Sequence, residues 1–390
     1  MRKHARPYLR GDRSMQTQRN LPSRTRHRLL RSAQVAIAGA ALALLAACGG
    51  GDDNNGGSAS NAPPSGVKMQ VVSFGDSLSD VGTYSQIKLG FGGGRFTTNP
   101  GQVWTQNVAQ YYGDTLQPAN QGGFGVPLQA TGGLGYAQGG SRVTQQPGIG
   151  HAAASVPNAD YAQATTTPVA AQVQQYLQQH GSFNANQIVL LNGGANDIFY
   201  QVAALQAGAI TPTQLQQNIG LAAQQLAGLV QQIVAAGATH VFVSNVPDIG
   251  GTPLALQGGT QTTLTQLSML FNGTLAATLQ ALKVDTSKYV LLDTFKWQDG
   301  ILAAYQANGF TVSNTDTACN LKAMVAAATQ YGVADPSAFG SSLFCSPQTY
   351  TAPNADQTYM FADTVHPTTR LHALFAQYVE QQIAASGVGK

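Results

Sequence analysis

The sequence has little charge: Asp, Glu, Lys and Arg make up 9% of its 390 residues, against about a quarter in ordinary domains. Glutamate occurs once, at Glu380. The helical stretches carry Gln and Ala instead, a surface of amides that suits a protein outside the cytoplasm. Cysteine occurs three times, and no His or Cys cluster accompanies any of the three, so no metal ligand set is expected. No internal repeat is visible. Positive charge is missing where a nucleic acid would need it. Ten of the twenty Lys and Arg residues fall within the first 31 positions, and from Cys48 onward 10 basic residues face 16 acidic ones. A basic face for nucleic acid is thereby excluded as a partner surface. Hydrophobic residues do make up 43%, enough for a sizeable core and too many for wholesale disorder.

No apolar run reaches the roughly 20 residues that a spanning helix needs. The longest, residues 33–47, follows Arg28 and Arg31 and ends in Leu45-Ala46-Ala47-Cys48-Gly49. A basic segment, a short apolar run and small residues describe an export signal. This end resembles the lipobox of bacterial lipoproteins, which implies cleavage before Cys48, a lipid on Cys48, and an outer-membrane lipoprotein or a cell-surface or secreted protein of a Gram-negative bacterium. Met15 offers an alternative start. Residues 1–47 are thus expected to be a basic leader and signal peptide. Residues 48–66, rich in Gly, Asn and Ser, are expected to be the anchored Cys and a flexible tether reaching on the order of 20–25 Å. The remaining cysteines, Cys319 and Cys345, read as one disulfide in an exported protein.

From residue 67 to 390 the pattern is one domain. Short β-branched runs bounded by turn residues stand at Gln70–Phe74 (QVVSF), 188–192 (IVLLN), 240–244 (HVFVS) and 289–293 (YVLLD). They read as buried parallel strands. Helical patterns at Val169–His180, 213–236, 261–282 and 371–385 separate or follow them. Strands alternating with helices predict an α/β sandwich with a parallel sheet. Two regions resist the pattern and read as long loops or small subdomains beside the site: residues 90–135 and the insertion 310–360.

Ligands of open α/β sheets sit beyond the carboxyl ends of the strands. The residues there are Gly75-Asp76-Ser77-Leu78-Ser79-Asp80, then Gly193-Gly194-Ala195-Asn196-Asp197, then Asn245-Val246-Pro247-Asp248. A serine just past a strand and opening a helix would have its backbone N–H at the positive end of the dipole. It needs a base. Among the histidines beyond Cys48, His180 and His240 fall at the wrong end of their elements and His372 lies within the last helical pattern. His366 stands just before that pattern, with Asp363 three residues earlier, a spacing at which a carboxylate reaches Nδ1. Asp76 and Asp197 read as local braces. Arg95 and His151 receive no role.

Four blocks, FGDSLSD, the Gly139-Gly140 pair after Tyr136-Ala137-Gln138, GANDI and DTVHPT, resemble those of the GDSL/SGNH hydrolases and stand in the same order. Gly94-Arg95-Phe96-Thr97 and Asn245-Val246-Pro247-Asp248 resemble the bacterial lipase/esterase branch, and Val81-Gly82-Thr83-Tyr84 departs from its usual Gly-Asn. The resemblance implies a three-layer α/β/α sandwich around a mostly parallel, flavodoxin-like five-stranded sheet. It implies a serine carboxylic-ester hydrolase with Ser77 as nucleophile, His366 as base and Asp363 orienting it. The oxyanion hole would comprise the Ser77 and Gly140 N–H groups and the Asn196 amide, each donor worth about 10²–10³ in rate. No cofactor and no metal are implied, and a monomer is expected. The expected partner is an ester or lipid substrate, with the membrane reached through the anchor on Cys48. The rivals are a phospholipase or acyltransferase on the same site, and an idle surface-binding lipoprotein.

Overall fold

The computed structural model describes residues 62–85, 94–124, 126–150, 164–332 and 335–388. The leader, Cys48 and most of the expected tether lie outside the described residues. Where the description begins, Ser65 already donates its N–H to the carbonyl of Tyr111 at 3.1 Å and its hydroxyl to Val67. The last residues assigned to the tether therefore lie on the folded body.

The strands are β1 Gln70–Phe74, β2 Asn120–Gly123, β3 Val126–Ala130, β4 Gln187–Leu191, β5 Val241–Ser244 and β6 Tyr289–Leu292. The helices are α1 Trp104–Tyr111, α2 Val169–His180, α3 Ala195–Gln206, α4 Pro212–Ala235, α5 Pro253–Gly258, α6 Gln261–Ala281, α7 Thr294–Ala303, α8 Leu321–Gln330, α9 Ala355–Thr358 and α10 Thr369–Ala385. Among the described residues no helix is long and apolar enough to cross a membrane.

The main sheet has the order β1-β4-β5-β6, with every pair parallel. Successive side chains of a strand point to opposite faces, and here both faces are buried. Val72, Phe74, Val189, Leu191, Val241 and Val243 meet α2, α3, α4 and α6 on one side. Val71, Ile188, Leu190, Phe242 and Leu292 meet α1 and α10 on the other. This double burial makes the strands near-continuous apolar runs rather than alternating ones. Each buried aliphatic side chain contributes about 1.5–3 kcal/mol, and the layers form an α/β/α sandwich. The helix boundaries are local chemistry: Thr211 caps α4 through Gln214 N–H ahead of Pro212, and Gly181 ends α2 at φ +79°.

Among the described residues the main sheet has four strands where five were expected. Beside β1 the chain makes a parallel bridge between Ser73 and Gly135, with Ser73 N–H on the Leu134 carbonyl and Tyr136 N–H on the Ser73 carbonyl, and does not extend it into a strand. Gly132, Gly133 and Gly135 flank Leu134, which alone among residues 132–135 packs into the core, and glycines in a strand interior weaken a ladder. The two regions read as long loops or small subdomains carry regular elements of their own. Residues 94–135 hold α1 and the antiparallel pair β2–β3. The insertion holds α8 and short 3₁₀ turns around a small core of Cys319, Met324, Phe339, Leu343, Phe344 and Cys345, which it shares with Tyr84 and Ala164.

Cys319 and Cys345 form a disulfide across 26 positions. Closing a loop of that length stabilises by about 3.5 kcal/mol in the chain-entropy description. The Cys319→Ala/Cys345→Ala protein is expected to lose about 2–4 kcal/mol in chemical denaturation. An unchanged denaturation midpoint would show that the bond carries no stability.

Candidate active site

Ser77 sits in a turn directly after β1, not in a helix as the sequence suggested; among the described residues the next helix is α1 at Trp104. Its position is instead set by side chains. Gln172 of α2 accepts from the Gly75 N–H at 2.9 Å and donates to the Gly75 carbonyl at 2.8 Å. Asn192, at the end of β4, donates to Asp76 at 2.7 Å and accepts from the Ser79 hydroxyl at 2.6 Å. Burial pushes the Asp76 carboxyl up, against hydrogen bonds from Leu78 N–H and Asn192. Buried Asp80 accepts from Gly82, Thr83 and Gly139 N–H, and burial pushes its carboxyl up to about 6. The turn is thus clamped to β4, α2 and the Gly139 segment before any substrate arrives.

His366 comes from the loop ahead of α10. Its Nε2 lies 2.9 Å from Ser77 Oγ, and its Nδ1 lies 2.7 and 2.9 Å from the two carboxylate oxygens of Asp363. A carboxylate can only accept, so Nδ1 carries the proton and Nε2 is free to accept from the serine hydroxyl. Asp363 also accepts from the backbone N–H of Ser342, Val365 and His366. Burial would raise this carboxyl, but the charge of His366 and these donors hold it well below the usual carboxylate range. The loop is pinned from outside by Thr97 Oγ1 on the Pro367 carbonyl and by Thr369 N–H on Thr98 Oγ1.

The expected oxyanion donors lie across the same cavity. Gly139 N–H is spent on Asp80. The Gly140 and Ser77 N–H groups have no hydrogen-bond partner among the described residues. Gly140 has φ +81°, and a Cβ there would stand 2.0 Å from the Ile149 carbonyl oxygen, so only glycine fits. Asn196 lies in the first turn of α3, where its Nδ2 donates one hydrogen to the Ser141 carbonyl at 2.9 Å and keeps a second. Gly194, at φ +111°, caps α3 close against the Phe271 ring, where a Cβ would collide at 2.2 Å. Asp197 binds Arg142 Nε at 3.1 Å and Val143 N–H at 2.9 Å, fixing the chain after Gly140 to α3. It is the brace the sequence suggested.

Ser77, His366, Gly140 and Asn196 all line one cavity of about 580 Å³. Its remaining walls are largely apolar, among them Phe96, Phe199, Leu254, Leu343 and Phe375. Among the described residues no three His, Cys, Asp or Glu side chains group so as to hold a metal ion.

The profile of the GDSL-like lipase/acylhydrolase family matches residues 71–379. The chain belongs to that family. This GDSL-family protein matches no curated protein. A solved structure of similar fold is Est24, a carbohydrate acetylesterase from Sinorhizobium meliloti, at 13% identity and a TM-score of 0.39. The match covers 82% of this chain and 99% of that one, and at that distance it carries no argument about substrate.

Within the family member's site, the sequence reading passed over Asn192, Gln172 and Ser342, which touch the motif residues through the hydrogen bonds above, and gave no role to Asp80 of the FGDSLSD block. Asn192 was the one within reach, since it ends the IVLLN run beside the GGAND block. His180 bonds Tyr136, neither of which lines the cavity, and His240 precedes β5. Arg95 donates to the carbonyls of Gly101 and Pro100, while His151 lies outside the described residues.

His372 on α10 is buried and accepts from the Trp104 N–H at 3.3 Å. Burial first, then the charge of His366, push its imidazole down to about 3. The folded protein thus binds no proton there in a range where the unfolded chain does. Stability from this group is full above about pH 6.5 and is lost as pH falls toward 3. In His372→Asn, whose side-chain oxygen can still accept from Trp104, the fall in melting temperature between pH 6.5 and 4 is expected to be shallower than in the parent. Identical slopes would remove this assignment.

Proposed function

We propose that the protein is a serine carboxylic-ester hydrolase working through an acyl-enzyme on Ser77. The observation that carries this reading is the continuous line from Asp363 through the His366 ring to the Ser77 hydroxyl, with both links under 3 Å. Ser77 Oγ attacks the ester carbonyl carbon while its proton passes to His366 Nε2. The negative oxygen that forms is met by the Ser77 and Gly140 N–H groups and the second hydrogen of the Asn196 amide. His366 then gives its proton to the departing alcohol oxygen, leaving the acyl group on Ser77. Water repeats the sequence: His366 takes its proton, the acyl–oxygen bond breaks, and Ser77 regains its hydrogen as the acid leaves. Asp363 holds the ring and stabilises the imidazolium in both halves. Export and anchoring through a lipid on Cys48 belong to the same proposal and rest on the leader sequence alone.

A fluorophosphonate probe tests the nucleophile directly. Mass mapping is expected to find one stoichiometric adduct, on Ser77. A folded protein left unlabelled would favour an idle surface-binding role instead.

A further inference from the structure

The Gly140 N–H and the Gly139 carbonyl belong to one planar peptide unit, so whatever holds that carbonyl also aims the N–H. The carbonyl is held by the Tyr84 hydroxyl, at 3.1 Å and from 55 positions away. The same hydroxyl oxygen accepts from the Thr166 N–H at 3.2 Å. A carbonyl can only accept and an amide N–H can only donate, so the phenolic hydrogen lies on Gly139. Tyr84 is fully buried, and burial pushes its phenol up, which keeps it a donor. The Phe96 and Phe124 rings meet it edge-on at 6.2 and 5.3 Å. Tyr84 also lies in the stretch Val81-Gly82-Thr83-Tyr84, where this chain departs from the family's usual Gly-Asn.

The surroundings are built around the same peptide. Asp80 accepts from the Gly139 N–H at 2.9 Å, Tyr84 donates to the Gly139 carbonyl, and the Ile149 N–H donates to the Gly140 carbonyl at 2.9 Å. Of the four backbone polar groups of the glycine pair, these contacts leave only the Gly140 N–H for a ligand. Thr166 closes the far side: a Cβ on Gly140 would stand 2.8 Å from its methyl group. Thr166 has φ +44°, a conformation that a β-branched residue keeps only where its neighbours hold it. Its N–H is held by Tyr84, and its hydroxyl bonds Gln146 at 3.1 Å. We propose that Tyr84 is a positioning residue of the oxyanion hole, aiming the Gly140 N–H and strengthening it as a donor. The proposal rests on the serine hydrolase reading above. A hydrogen bond onto a peptide oxygen draws electron density away from the nitrogen, so the N–H of that unit becomes more positive. The benefit grows as the substrate oxygen gains charge, and so falls on the transition state more than on the bound ester.

Tyr84→Phe removes the hydroxyl and keeps the ring. Its kcat on p-nitrophenyl butyrate should fall about tenfold with little change in KM, less than the loss of about 10²–10³ for removing a donor outright. A purely structural role for Tyr84 could also slow the enzyme. The same proteins are therefore assayed on the matching thionoester, in which sulfur, a weak hydrogen-bond acceptor, replaces the carbonyl oxygen. The ester-to-thionoester ratio of kcat/KM should fall about tenfold in Tyr84→Phe, and further in Asn196→Ala, which takes a donor away. If Tyr84→Phe does not fold, a ring-fluorinated tyrosine at position 84 keeps the shape and donates more strongly, and the ratio should rise. A folded Tyr84→Phe that keeps the parent's ratio, including one in which both substrates slow equally, overturns the role of Tyr84 and leaves the hydrolase reading intact. An unchanged ratio in the fluorinated protein does the same. A folded parent that cleaves neither substrate and takes up no fluorophosphonate overturns both.

Discussion

Ester cleavage by the Ser77→Ala protein is expected to fall about 10⁴- to 10⁶-fold in kcat, and His366→Ala should fall to a similar level. The reason is geometric. Among the described residues the Ser77 hydroxyl bonds one base, at 2.9 Å, and that base has its other nitrogen committed to Asp363. Removing either partner removes the same event, transfer of one proton as the carbonyl is attacked. The double variant should therefore be no slower than the worse single one. What activity remains would come from the three oxyanion donors and from substrate binding. Both residues are at the cavity surface, so melting temperatures should change little, and initial rates on a p-nitrophenyl ester with parallel thermal melts make the comparison. A fully active single variant would refute the assignment.

Asp363→Asn should cost about 10⁴-fold in kcat with a small change in KM. The carboxylate accepts from three backbone N–H groups besides the imidazole. An asparagine amide must place its NH₂ either at the Oδ2 position, against Ser342 N–H, or at the Oδ1 position, against the Val365 and His366 N–H groups, and both positions also face the ring. Facing the ring, it turns the imidazole to the other tautomer and presents a hydrogen to Ser77 where a lone pair is needed. The same change alters acid stability. Asp363 has its carboxyl lowered in the folded state. It contributes stability that is full above about pH 4 and is lost as pH falls further. Asp363→Asn should show a flatter melting profile in that acid range. A variant within tenfold of the parent rate would show that Asp363 does not orient the base.

The four strand runs and the four long helical patterns are legible in the sequence because each has a strong local cause. QVVSF and IVLLN are buried on both faces, and Thr211-Pro212 opens α4 with a capping threonine. The catalytic candidates are legible for a different reason: each stands immediately after a strand or before the last helix, where the chain has no other way to bring them together. What the sequence conceals is governed by distant partners. Helix α1 is short, and Trp104 and Val108 are buried against α10 rather than marked by a cap of their own. The missing fifth strand follows from glycines whose effect shows only against β1. Ser342 contributes a backbone N–H to Asp363, and a backbone donor leaves no trace in residue type. Gly140 could be separated from Gly139 only through Asp80, which occupies one of the two amides.

Ser77 follows the first strand of the domain and His366 precedes its last helix, with Thr97 and Thr98 clasping the loop that carries the histidine. During synthesis the attacking group therefore emerges long before the group that activates it. A nascent or prematurely terminated chain would hold a serine with no proton acceptor beside it, inert toward any ester it met on the way out.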